Sequence, residues 1–178
     1  MRLTYQNALC QLRRALAFDE FWKATLDPVR ENTFNLHLAI FREPYLGFIL
    51  EGRKTVETRF ARRPCPPYKR VTDGDILILK QAGGPVLGVC IIEKVWLYEV
   101  DAASLGVIKK KFGNAICPAD GAFWEERKDA VCATLMLIGH VTRALDISFE
   151  KRDRRGWVVM EKSASQNLLP LGSPAVRT

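Results

Sequence analysis

The segment Gly52-Arg53-Lys54-Thr55-Val56-Glu57-Thr58-Arg59 sets one carboxylate among three cations at short spacing. On an extended chain, Glu57 and Arg59 share one face while Val56, Thr58 and Phe60 share the other. Two uses are open. Glu57 can pair with Lys54 or Arg59 as a surface ion pair, worth under about 1 kcal/mol. Alternatively the three floor a pocket, where Glu57 orients the cations and the cations meet a phosphate or a base carbonyl. In that pocket Lys54 is a candidate general base beside Glu57. A lysine serves as a base when its pKa is lowered; crowding by neighbouring cations favours this and Glu57 opposes it.

A basic loop follows: Arg62-Arg63-Pro64-Cys65-Pro66-Pro67-Tyr68-Lys69-Arg70. Residues 53–70 hold seven cations (Arg53, Lys54, Arg59, Arg62, Arg63, Lys69, Arg70) against one acid, Glu57, which is +6 of the chain's +7. Cations that neutralise phosphates, with Tyr68 among them for stacking, suit single-stranded RNA. DNA is the second polyanion this charge would attract. Residues 151–157 form another basic turn beside an aromatic, and add Arg155 and Trp157 as candidates; Trp157 reads either as core or as a stacking platform.

The five cysteines form no Cys-x-x-Cys pair, and the two histidines, His37 and His140, lie far apart in apolar stretches. Neither a metal site nor a cofactor is expected. Cys90 and Cys132 read as core, and the histidines as structural.

Stepping outward, Tyr5, Leu9, Leu12 and Leu16 recur at helical spacing, and a second helix starts near Asp19 and stops at Pro28. A strand is predicted over residues 37–41, then a helix entered at Pro44 and left at Gly52, then the strand bearing Glu57 and Arg59. Asp73-Gly74-Asp75 turns the chain into a strand at 76–79, and Gly83-Gly84-Pro85 into another at 86–95 that can extend to 98. A helix over 101–112 carries Lys109, Lys110 and Lys111 at its C-terminal end, where cations complement the dipole. A short helix at 121–128 and strands at 131–142 and 155–161 complete the pattern. Strands joined by turns predict a mostly antiparallel, barrel-like α+β domain.

With 178 residues, 48% apolar and 26% charged, the chain suits one globular domain. The reading divides it into an N-terminal helical extension (1–33), the main domain (34–162) and a flexible tail (163–178). No apolar run is long enough for a membrane span, and the first residues lack a signal-peptide hydrophobic region, so the cytoplasm is expected. The N-terminal helices are a further candidate surface for a protein partner.

Gly-x-Lys-x-x-Glu-x-Arg, met by Gly52, Lys54, Glu57 and Arg59, resembles the signature of the ASCH domain family, a branch of the PUA-like superfamily. The element order over residues 36–161 is similar as well. The resemblance implies a β-barrel-like fold with a cleft beside the motif and a role in binding RNA or a modified nucleotide. It also implies an alternative. Some ASCH-like proteins are amidohydrolases that deacetylate N4-acetylcytidine with a Lys, a Thr and a Glu, and ribonuclease activity occurs in the family. The lysine matches Lys54. The threonine falls where this chain has Glu57, flanked by Thr55 and Thr58; Glu125 and Glu126 are candidates for the glutamate by location.

Overall fold

The computed structural model describes residues 4–143, 147–149 and 155–162. The basic residues 151–154 and the tail from 163 to 178 lie outside the described residues. The chain opens with α1 (Tyr5–Ala15), capped by Thr4, and α2 (Glu20–Thr25), capped by Asp19, whose side chain accepts from the Trp22 amide. Pro28 does not simply end this region. It opens a 3₁₀ turn over Pro28–Thr33, because its fixed φ suits a first helical position.

Among the described residues six strands follow: β1 (Leu36–Phe41), β2 (Val56–Ala61), β3 (Ile76–Gln81), β4 (Val86–Glu99), β5 (Cys132–Arg143) and β6 (Trp157–Met160). They form one sheet in the order β2-β5-β4-β3-β1-β6. Among these strands β1 and β3 pair in parallel, and β1–β6, β2–β5, β3–β4 and β4–β5 pair antiparallel. Register shifts within the β3–β4 and β4–β5 ladders bend the strands and curl the sheet into a half-barrel. The expected α+β, mostly antiparallel and barrel-like architecture is thus what the chain adopts.

Among the described residues three further helices flank the sheet. Short α3 (Tyr45–Leu50) follows a cis Glu43–Pro44 bond, and Gly52 beyond it takes φ +73°, the left-handed stop that its position predicts. Helix α4 (Ala102–Ile116) starts at an Asp101–Ser104 capping box. It runs one turn past the predicted end, because Ile108, Phe112 and Ile116 continue a buried stripe at spacing four. The lysine triplet therefore sits before the last turn, which holds no basic residue. The helix dipole therefore does not account for the triplet. Helix α5 (Ala122–Glu125) is a single turn.

Alternation along β1 and β3 covers both sheet faces. Leu36, Leu38, Ile76 and Ile78 meet Tyr5, Leu9, Leu12, Leu16 and Trp22 from the N-terminal helices. Ala39, Phe41, Leu77 and Leu79 face the interior of the curl with Leu46, Ile49, Met136 and Trp157. Val56, Ala133 and Leu135 pack against α4 and α5. Trp22 Nε1 also donates to Thr142 Oγ1 at 2.8 Å, which pins α2 to β5. Phe18 stays 98% exposed between the two helices. Cys90 and Cys132 are buried, as expected. His140 stacks on Phe21 and lies 3.6 Å from Asp19, a structural histidine at the surface.

Candidate nucleotide-binding cleft

The exit from α3 aims Lys54 inward. The amides of Arg53 and Lys54 both donate to the Phe48 carbonyl, so the chain doubles back before β2 begins. The Lys54 side chain is only 2% exposed. Its Nζ donates to Val56 O and to Ile116 O, each at 2.9 Å, and lies 3.4 Å from Glu57 Oε2. Ile116 ends α4, so Lys54 is the cation that meets the negative end of that helix. Burial lowers the Lys54 pKa, Glu57 pulls it back up, and Arg59 lowers it slightly. Desolvation, more than the neighbouring cations, sets the direction.

Glu57 is also buried. The face it shares with Arg59 points into the curl of the sheet instead of into solvent, so the surface-pair reading fails. Glu57 Oε1 is 2.9 Å from Arg59 Nε, but the N–H direction misses it; the contact is an ion pair and not a hydrogen bond. Arg59 Nη2 donates to Ile40 O at 3.2 Å. Its guanidinium lies 4.9 Å from the ring centre of Phe41 and 5.3 Å from that of Trp157. Arg59 thus reaches from edge strand β2 across the open side of the sheet to β1 and β6.

Trp157 is held in turn. Its Nε1 donates to His37 Nδ1 at 3.2 Å, so His37 carries its proton on Nε2 and donates to Asp75 Oδ2 at 2.9 Å. Asp75 also accepts from the amides of Asn35 and Thr72. Burial alone would raise the Asp75 pKa, but the bonds from His37, Thr72 and Asn35 together hold it below the usual carboxylate value.

Beside this array lies a cleft of about 800 Å³. Seven cations line it (Arg42, Lys54, Arg59, Arg62, Lys80, Arg127, Arg155), against two acids, Glu57 and Glu126. Phe41, Tyr45, Phe60 and Phe123 supply aromatic wall. Arg127 lies 3.5 Å over the Phe123 ring and donates to the Phe123 carbonyl, which fixes it at the rim. Such a site offers phosphate neutralisation, flat surfaces for a base and buried charge near both.

Of the residues singled out by sequence, Lys54, Glu57, Arg59, Arg62 and Arg155 converge on this cleft. Arg53 does not; it pairs with Glu51 and covers Phe48. Arg70 pairs with Glu161, and Arg63 is an exposed loop residue outside the cleft. Tyr68 and Lys69 line a neighbouring hollow. Trp157 is 5% exposed and its N–H is spent on His37, so it is a wall under Arg59 and not a stacking platform. Thr58 lines the cleft instead of sharing the core with Val56, while Thr55 is exposed. Glu126 lines the cleft; Glu125 faces solvent and pairs with Lys128. Sequence reading missed Arg42, Tyr45, Lys80 and Arg127. The first and third stand at the C-terminal ends of β1 and β3, neighbours only because those strands pair in parallel, with Ile40 opposite Lys80. Among the described residues, no group of three or more His, Cys, Asp or Glu could hold a metal ion, and no helix is long and apolar enough to cross a membrane.

A curled half-barrel with flanking helices and a cleft beside its motif strand defines a PUA-like domain. The ASCH domain model matches residues 40–129, and the chain belongs to the ASCH domain family. Among solved structures, an ASCH protein from Zymomonas mobilis superposes with a TM-score of 0.54 at 15% identity, covering 78% of this chain and 96% of that one. An ASCH domain from Lactobacillus crispatus gives 0.50 at 12% identity, covering 79% and 96%. At these identities the likeness is one of fold. No curated protein matches the sequence.

Proposed function

We propose that this chain binds single-stranded RNA or a modified nucleotide in the cleft beside Lys54, Glu57 and Arg59. The observation that carries this reading is the excess of seven cations over two acids around one aromatic-walled cleft. Arg42, Arg62, Lys80, Arg127 and Arg155 are the phosphate-facing groups. Lys54 spends its donors on two carbonyls and Glu57, so its part is to fix Glu57, which in turn sets Arg59 against the ligand. The test is fluorescence anisotropy with a labelled 12-nucleotide single-stranded RNA, and DNA of equal sequence, from 50 to 300 mM salt. Affinity is expected to fall steeply with salt, and Arg127→Ala to weaken it and flatten the log–log slope by about 0.7. Negligible RNA binding at 50 mM salt would sink the idea.

One observation favours a second reading, hydrolysis of a nucleoside amide or an RNA phosphodiester with Lys54 as base: its ammonium is buried beside the cleft with a lowered pKa. Incubation with N4-acetylcytidine, followed by chromatography for cytidine, tests the amide version; RNA fragments on a gel test the other. Product in either case, lost in Lys54→Met, supports it.

A further inference from the structure

We infer that Cys65 and Cys132 form an oxidation site: a hydroperoxide oxidises Cys65, and Cys132 closes a disulfide onto it that ties the loop after β2 to the start of β5. The site does not depend on what the cleft binds. A small hollow of about 130 Å³ lies between β2 and the start of β6, and both cysteines line it.

The fold brings the two thiols together from distant parts of the chain. Cys132 pairs with Ala61 in the β2–β5 ladder, so it stands opposite the last residue of β2. It shares a face of β5 with Thr134, which lines the same hollow. The Cys132 thiol donates to the Ala61 carbonyl at 3.8 Å, which turns its sulfur toward the point where the loop departs. Cys65 follows in that loop. The Tyr68 amide donates to the Cys65 carbonyl at 3.0 Å, and this turn lays Cys65, Pro66, Pro67 and Tyr68 along the hollow. Burial raises the Cys132 pKa, and the Cys65 thiol beside it raises it further.

The two thiols differ as the chemistry requires. Cys65 is exposed, and its loop carries Arg62, Arg63, Lys69 and Arg70; open, electropositive surroundings are where a cysteine meets an oxidant. Cys132 is 2% exposed, so the oxidant reaches Cys65 first. The Cys65 sulfur attacks the peroxide. An S–O bond forms, the O–O bond breaks, and an alcohol or water leaves a sulfenic acid behind. The Cys132 sulfur then attacks the Cys65 sulfur. The S–S bond forms, the S–O bond breaks, and the departing hydroxide takes the Cys132 proton to leave as water. Two thiols are oxidised and one peroxide is reduced.

The test is peptide mapping by mass spectrometry on the full chain, first reduced, then treated with hydrogen peroxide and alkylated with iodoacetamide. Wild type is expected to yield a Cys65–Cys132 linked peptide pair that dithiothreitol releases. Cys65→Ser and Cys132→Ser should each abolish it, and Cys132→Ser should leave a Cys65 sulfenic acid that dimedone traps. Cys132→Ala serves the same comparison if serine disturbs the fold. Cys10→Ser, an exposed thiol on α1, should leave the link intact. Sulfinic acid on Cys65 with Cys132 still alkylated would overturn the site. So would a Cys65 disulfide between two chains, or a Cys65 that peroxide leaves unchanged.

Discussion

Lys54 Nζ lies 2.9 Å from the carbonyl oxygen of Ile116, the last residue of α4. The lysine of the family motif is therefore the C-terminal counter-charge of a helix whose last residue lies 62 positions further along the chain. It joins the start of β2, the end of α4 and the carboxylate of Glu57 at one buried point. Replacing it with Met strands two carbonyls and leaves Glu57 with Arg59 alone. Lys54→Met is expected to cost about 3 kcal/mol in urea unfolding.

Stability should also depend on pH through this group. The folded Lys54 pKa lies below its unfolded value of 10.5, so the unfolded chain binds more protons between the two values. The Lys54 contribution to stability therefore rises as pH climbs through that window toward 10.5. Urea titrations from pH 7 to 10 should show the deficit of Lys54→Met growing with pH. A deficit that shrinks would mean that the folded lysine holds its proton more tightly than the unfolded one.

Asp75 carries the same sign in an acid window. Its folded pKa is depressed from 3.8, so its stabilising contribution is complete above that value and is lost as pH falls through the folded value. Asp75→Asn turns an amide donor toward groups that are themselves donors at His37, Thr72 and Asn35. A loss of about 3 kcal/mol is expected, with a flatter acid limb below pH 4. Thermal melts across pH 2 to 7 would register both.

Arg59→Lys keeps the charge and removes the fork. One ammonium cannot meet the Ile40 carbonyl, the Glu57 carboxylate and the faces of Phe41 and Trp157 together. The variant is expected to lose about 1–2 kcal/mol of stability and about tenfold in RNA affinity. Wild-type affinity in Arg59→Lys would mean that only charge matters there.

Removing residues 1–33 should unfold the remainder. Tyr5, Leu9, Leu12, Leu16 and Trp22 share one apolar cluster with Leu36, Leu38, Ile76 and Ile78, so their loss uncovers one face of the sheet centre. Circular dichroism of the truncated chain checks this; a cooperative melt near the wild-type Tm would show that the helices are dispensable.

Much of this could be read from residue order. The motif marks β2 and its glycine stop, Asp101 marks the start of α4, and the near-continuous apolar run of β1 marks a buried strand. The cleft was only half visible. The basic stretch after the motif looked like its lining, yet only Lys54, Arg59 and Arg62 of those seven cations reach it. Arg42, Lys80, Arg127 and Arg155 come from separate parts of the chain. Their convergence depends on the parallel β1–β3 pairing and on how the chain after α5 folds back, neither of which local periodicity encodes. Residue order leaves open whether Glu57 faces solvent or a pocket, because alternation separates two faces without saying that both are enclosed. His37 reads as a structural histidine and Trp157 as either core or a stacking platform, and the chain that links them to Asp75 is visible only in three dimensions.

The pairing of β6 with β1 has a consequence for synthesis. Leu36 cannot meet Met160 until nearly the whole domain has left the ribosome. Arg155 and Gly156, which close one side of the cleft, arrive at the same late moment. Until then β1 presents an unpaired, strongly apolar edge, the kind that joins strands from other chains. Stalled or prematurely terminated copies should therefore be aggregation-prone in a way that the finished protein is not, with β1 as the sticky segment.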